Sequence, residues 1–206
     1  MLSVDTEHGE ARVHIHEAGK PRAALVLGHG AGGGVEAPDL TAARNAALGL
    51  GVSVALVEQP YRVAGRRSSP PTHQLDTAWT AVLERLREHE LAGLRTVTGG
   101  RSAGARVACR TAEATGAAAV LCLAFPLQPP ARKGGEPRPS RLPELEGVTA
   151  PMLIVQGERD QFGMPPESPG WTLVKVAGNH GLKSELPAVG AAVDDWVATV
   201  LRGWRR

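Results

Sequence analysis

The residues best placed to do chemistry begin with a serine at the centre of Gly100-Arg101-Ser102-Ala103-Gly104. A strand-like segment at 94–98 runs into this pentapeptide, and a small-residue stretch at 105–115 runs out of it. Strand, tight turn and helix in that order make Gly-x-Ser-x-Gly a nucleophile elbow, whose strained turn lifts the serine hydroxyl above a sheet. The flanking glycines avoid clashes that a Cβ would cause there. The Ala103 N–H, at the helix start, points where an oxyanion would form. A serine hydroxyl attacks a carbonyl only when a base takes its proton. His180 suits that role, because imidazole changes charge near neutral pH, and it follows a strand-like run at 171–176. Asp160 is the only aspartate between Ser102 and His180, and it follows another such run at 152–155. A carboxylate there would hold the imidazole in one tautomer and stabilise its cation. Glu158 is the competing acid, closer to the strand. Together these groups would carry out acyl transfer, with Ser102 attacking, His180 as base and then acid, and Asp160 orienting the ring.

A second stretch, Gly28-His29-Gly30-Ala31-Gly32-Gly33-Gly34, follows the apolar run 23–27 and admits two readings. Gly28-x-Gly30-x-x-Gly33 has the spacing of a dinucleotide fingerprint, with Glu58 standing where a ribose-binding acid would be. That reading implies an oxidoreductase. The fingerprint must open a helix, however, and Val35, Glu36, Ala37 and Pro38 intervene. The other reading is a His-Gly-Gly-type loop after a strand, which supplies the second oxyanion donor. Ala31 or Gly32 N–H would then complete the hole with Ala103, and His29 would stabilise the loop rather than react.

Such residues need a scaffold that gathers them. Strand-like runs at 23–27, 52–57, 94–98, 118–124, 152–155 and 171–176 alternate with helical segments at 39–49, 75–86, 105–115 and 187–204. That alternation predicts an α/β fold, a mostly parallel doubly wound sheet with helices on both faces. Residues 13–18 alternate weakly and read as an edge strand, with His14 and His16 on a solvated face. Residues 127–147, rich in Pro, Gly, Arg and Lys, read as a loop with no room for a helical cap. His29, Tyr61, Ser102, Asp160 and His180 all follow strand C-terminal ends, the edge where open parallel sheets bind ligands. Tyr61 is therefore a candidate substrate contact. Arg62, Arg66, Arg67 and Arg101 cluster near the same edge. Guanidinium groups pair with carboxylate or phosphate in bidentate geometry, so Arg62 and Arg101 are candidates for binding an anionic acyl or leaving group.

A chain of 206 residues suits one domain, 1–206, with a sizeable core. With two Phe, one Tyr and four Trp, that core must be mostly Val, Leu and Ala, with Trp79 inside it. A net charge of +2 is too small to argue for nucleic acid. Residues 1–16 are polar with no apolar stretch of the signal-peptide kind, and the longest apolar run, 117–125, is too short to span a membrane. Cys109 and Cys122 form no metal pattern and read as small buried residues on a helix and a strand, which fits a reducing cytoplasm. The expected partner is a small-molecule acyl substrate, bound by a monomer or small homo-oligomer with no metal or organic cofactor.

The chain resembles the α/β-hydrolase superfamily along nearly its whole length. The matching segments are 29–34, the Ser102 pentapeptide, Gly157-Glu158-Arg159-Asp160 and Gly178-Asn179-His180, in the Ser, Asp, His order of that superfamily. Pro60-Tyr61-Arg62, Phe125-Pro126-Leu127 and Asp160-Gln161-Phe162-Gly163 look most like the small lidless group related to dienelactone hydrolases and testis-expressed hydrolase-like proteins. The resemblance adds Phe162 to the candidate substrate contacts. It implies a serine hydrolase cleaving a small ester, thioester or amide through an acyl-enzyme on Ser102. Dienelactone hydrolases proper use a cysteine nucleophile, so their substrate does not transfer. The testis-expressed relatives include chromatin-complex subunits without established chemistry, which keeps a noncatalytic interaction module as the alternative.

Overall fold

Runs of Val, Leu and Ala with no polar interruption can only be strands covered on both faces. The computed structural model, which describes residues 1–130, 136 and 138–204, places them at the centre of one eight-stranded sheet. The strands are β1 (Leu2–Thr6), β2 (Gly9–His16), β3 (Ala23–Gly28), β4 (Val52–Glu58), β5 (Thr96–Arg101), β6 (Ala119–Leu123), β7 (Met152–Gly157) and β8 (Thr172–Val176). Their order is β1-β2-β4-β3-β5-β6-β7-β8. Pairing is parallel from β4 to β8 and antiparallel where β2 meets β1 and β4. Each residue of β3, β6 and β7 is buried.

The helices are α1 (Pro38–Gly49), α2 (Pro60–Val63), α3 (Thr72–Glu88), α4 (Ala103–Thr111), α5 (Leu142–Glu146) and α6 (Leu186–Gly203). Apolar faces of α1 and α6 close one core against the sheet, with Leu40, Val193, Trp196 and Val197 among its residues. Helix α3 packs Leu75, Trp79, Val82, Leu83 and Leu86 on the opposite face, and α4 and α5 continue that layer. Cys109 and Cys122 lie buried there with their Sγ atoms 3.4 Å apart. Among the described residues no separate cap domain stands over the sheet. No helix among them is long and apolar enough to cross a membrane.

Two expectations are corrected. Residues 13–18 were expected to form an edge strand, but β2 spans Gly9–His16 and lies inside the sheet, because the polar start of the chain forms β1. A two-residue turn at Glu7 and His8 joins them, and Val4, Ala11 and Val13 supply the buried face. His14 faces Glu58 of β4, with Nε2 3.1 Å from Oε2. The expected loop at 127–147 contains α5, opened by Pro143 in its first turn and packed by buried Leu145. Its portion at 131–135 and 137 lies outside the described residues.

The sheet edge that carries the candidate site depends on one close crossing. Helix α4 lies so near β3 that a Cβ on Gly104 would collide with the Gly28 carbonyl, both atoms being backbone and unable to move aside cheaply. Gly104→Ala must therefore push α4 off the sheet. The expected cost is about 1–3 kcal/mol, or a fall in Tm of roughly 2–12 °C for a domain of this size. Calorimetry on the two proteins checks this, and an unchanged Tm would mean that α4 does not depend on the crossing.

Candidate active site

Ser102 sits between β5 and α4 with φ 52° and ψ −108°, a conformation that non-glycine residues rarely adopt. Such strain persists only where surrounding bonds over-determine it. Here the Ser102 N–H donates to the Leu123 carbonyl of β6 at 2.9 Å, and the Ser102 carbonyl accepts from the Arg106 N–H of α4 at 3.2 Å. The bend leaves the hydroxyl in a cleft of about 450 Å³, lined in part by Ala31, Ala103 and Phe162.

His180 and Asp160 come from the loops after β8 and β7. Gly157, at the end of β7, brings these loops together: a Cβ there would meet the Asn179 carbonyl oxygen at 2.6 Å. The Arg159 N–H donates to the Gly178 carbonyl at 2.8 Å, and fully buried Leu182 anchors the His180 loop in the core. In the resulting geometry His180 Nε2 lies 2.9 Å from Ser102 Oγ, and Nδ1 lies 2.8 Å from Asp160 Oδ2. The Asp160 side chain is 1% exposed. Its Oδ1 accepts the Phe162 N–H at 2.9 Å, and its Oδ2 also accepts from Gln156 Nε2 at 2.9 Å. An ionised carboxylate accepts hydrogen bonds only, so facing His180 it requires the proton on Nδ1 and leaves Nε2 free to accept from the serine. Phe162 packs edge-on against the His180 ring at 4.5 Å between centroids. Glu158, the competing acid, points to solvent.

The glycine-rich loop after β3 is held by side chains. His29 is buried, and its Nε2 accepts the Gln59 N–H at 3.0 Å. Its Nδ1 must then carry the proton, which it donates to the Gly30 carbonyl at 2.8 Å. Burial holds the His29 pKa below its ordinary value, which keeps the ring neutral and this tautomer intact. The Tyr61 hydroxyl donates to the Ala31 carbonyl at 2.8 Å. In a trans peptide the N–H points opposite to the carbonyl, so tying back the carbonyls of Gly30 and Ala31 turns the N–H groups of Ala31 and Gly32 the other way. Among the described residues neither those N–H groups nor that of Ala103 has a protein acceptor. The loop does not open a helix, since α1 begins only at Pro38, so it lacks the feature a dinucleotide fingerprint needs.

Three expected substrate contacts are corrected. Tyr61 is 3% exposed and serves the loop instead of the cleft. Arg62 does not line the cleft, and its Nη1 donates to the Arg66 carbonyl. Arg101 is held by the protein itself. Its Nε lies 2.9 Å from Oδ2 of Asp39, whose side chain is fully buried in the first turn of α1, and its Nη2 donates to the His180 carbonyl at 3.1 Å. The Asp39 contact is a charge pair at close range without a well-aligned hydrogen bond, since Oδ2 accepts none. Burial pushes the Asp39 carboxyl above its usual range more than the Arg101 guanidinium pulls it down. Arg101 thus ties α1, the glycine-rich loop and the His180 loop together, its Nη1 lying 2.8 Å from where a Cβ on Gly30 would be.

Gln156 and Asp39 went unassigned in the sequence. Asp39 matters through Arg101, a partner distant in the chain, whereas Gln156 reaches Asp160 only four residues on, and a glutamine ending an all-apolar strand was a usable signal. The cleft also contains Arg106, Arg110, Arg138 and Arg141, from the helix after Ser102 and the segment taken as plain loop.

A model of the alpha/beta hydrolase domain matches residues 21–184. No curated protein sequence matches the chain. Among solved structures, Est1E from Butyrivibrio proteoclasticus with ferulic acid bound is similar at TM-score 0.80 and 16% identity, over 98% of this chain and 100% of that one. XC6422 from Xanthomonas campestris, described as an α/β serine hydrolase without lid, gives TM-score 0.72 and 19% identity over 98% and 93%. Dienelactone hydrolase from Anabaena variabilis gives 0.76 and 15% over 96% and 95%. At these identities the structural likeness shows the fold.

Arg101 gives a direct test of the site's framework. Arg101→Gln leaves the buried Asp39 carboxylate without its countercharge, and chemical denaturation at neutral pH should show a loss of about 3 kcal/mol. Unchanged stability would mean that Arg101 is not part of the framework.

The match over residues 21–184, on a chain whose strand order and elbow have the form described above, shows that this protein belongs to the alpha/beta hydrolase domain family.

Proposed function

We propose that the protein is a serine hydrolase that cleaves a small carboxylic ester, thioester or amide through an acyl-enzyme on Ser102. The observation that carries this reading is the unbroken hydrogen-bonded chain from Ser102 Oγ through His180 to Asp160. His180 Nε2 takes the hydroxyl proton as Ser102 Oγ attacks the carbonyl carbon, and the electron pair moves onto the carbonyl oxygen. The N–H groups of Ala103 and of Ala31 or Gly32 receive that oxyanion. The imidazolium, stabilised by Asp160, then protonates the leaving group as the tetrahedral species collapses. Water activated by the same imidazole releases the acid and restores Ser102. The cleft of about 450 Å³, with no cap over it among the described residues, supports a small acyl group over a long chain. The likeness to XC6422 from Xanthomonas campestris, described as an α/β serine hydrolase without lid, and to Est1E with ferulic acid bound supports a hydrolase reading.

The test compares parent and Ser102→Ala on esters from acetate to octanoate. The parent should favour the short chains, and the variant should lose at least about 1,000-fold in kcat while keeping its Tm. Turnover by Ser102→Ala at more than a few per cent of the parent rate would remove the nucleophile from Ser102. Failure of the parent to react with a fluorophosphonate probe would favour a noncatalytic module.

A further inference from the structure

Four arginines line the cleft that holds Ser102, and they outnumber the two acids paired with them. Arg110 is bonded to Asp76 through Nε and Nη2, and its Nη1 reaches Glu144 at 3.2 Å. Arg106 grips the same Glu144 through Nε and Nη2. Two carboxylates thus neutralise two guanidiniums and fix their planes. Arg141 and Arg138 have no such partner. Among the described residues no carboxylate lies within ion-pair distance of either one, and the remaining residues carry no acidic side chain. Arg141 is half-buried and gives only its Nη1, to the Pro126 carbonyl at 2.8 Å. Its other N–H groups have no protein acceptor among the described residues. Burial, reinforced by the neighbouring charge of Arg106 and then of Arg138 and Arg110 and opposed in part by Glu144, lowers its pKa to about 10. A guanidinium with unused donors and no carboxylate in direct contact, partly withdrawn from water, is a site for an anion.

We propose that this wall of the cleft is a subsite for an anionic group on the substrate, a carboxylate or a phosphate monoester, with Arg141 as its principal contact. The proposal rests on the hydrolase reading above and narrows it to acyl compounds with a negative charge within a few bonds of the scissile carbonyl. Arg106 and Arg110, locked by Glu144 and Asp76, form the rigid side of the subsite. Arg138 adds charge at its mouth.

The test measures kcat/KM on matched pairs of esters. Mono-4-nitrophenyl glutarate against 4-nitrophenyl pentanoate puts a carboxylate on the acyl side. 4-Acetoxyphenyl phosphate and 4-acetoxybenzoate, each against 4-acetoxybenzamide, put a phosphate or a carboxylate on the leaving side. The parent should prefer at least one anionic member, and Arg141→Gln should reduce that preference by about tenfold or more. Arg141→Lys should restore part of it. Lys175→Gln, which removes the same charge outside the cleft, should leave the ratio unchanged. The pair that responds identifies the anion and the side that carries it. A parent ratio near one for every pair, or a ratio that Arg141→Gln does not change, would overturn the proposal. If no ester is hydrolysed, the hydrolase reading fails, and the subsite is then judged by calorimetry with glutarate and inorganic phosphate. Binding to the parent that weakens about tenfold in Arg141→Gln supports the subsite, whereas no binding, or equal binding, rejects it.

Discussion

Everything at the site hangs on a backbone bend that Ser102 would not adopt alone. Its positive φ is imposed from three directions: β5 leads in, the Leu123 carbonyl of β6 captures its N–H, and α4 leads out pressed against β3. That helix can begin immediately after the serine only because Gly104 lets it lie against Gly28. The Ala103 N–H, unpaired as the first N–H groups of any helix are, therefore stands beside the hydroxyl. The proposed nucleophile and the proposed oxyanion donor are two consequences of one packing constraint, set by the centre of the sheet and not by the loops that carry the rest of the site.

The electrostatics divide in the same way. One set of charges is internal. Buried Asp39 and partly buried Arg101 meet at the junction of α1, the glycine-rich loop and the His180 loop, where desolvation outweighs their attraction on Asp39. Such a pair adds little stability but fixes which groups may be neighbours. His29 acts alike without charge, since burial keeps it neutral and its two ring nitrogens join Gln59 to Gly30. The other set faces the cleft, where α4 and the segment around α5 contribute arginines in excess of the acids that hold them. Asp39 and Arg101 are paired within the framework, whereas Arg138 and Arg141 at the cleft have no carboxylate partner among the described residues.

The elbow, the two loops and the parallel sheet were legible because each leaves a local mark: glycines where backbones touch, apolar runs where both faces are covered, polar residues just past strand ends. Ser102, Asp160 and His180 were found as types in an order, and the folded chain brings them within hydrogen-bond reach. What escaped has no local mark. Arg101 looked like a substrate contact because it flanks the serine, but its partner Asp39 lies far back in the chain. Tyr61 was correctly set at the strand edge yet turns beneath the glycine-rich loop, a choice made by the packing of His29. Helix α5 was hidden in a Pro- and Arg-rich stretch, and with it went the link from Glu144 to Arg106 and Arg110. β1 was hidden because an edge strand needs only one buried face, which Val4 supplies.

In the proposed reaction Ser102 carries the acyl group between the two halves of the turnover. Rapid-quench intact-mass spectrometry during turnover of phenyl butyrate, followed by peptide mapping, tests it directly. The expected result is a transient protein species heavier by one butyryl group, with the modification on Ser102. Steady turnover in which no acylated protein accumulates, even in single-turnover experiments that would trap it, or an acyl group mapped to another residue, would contradict it.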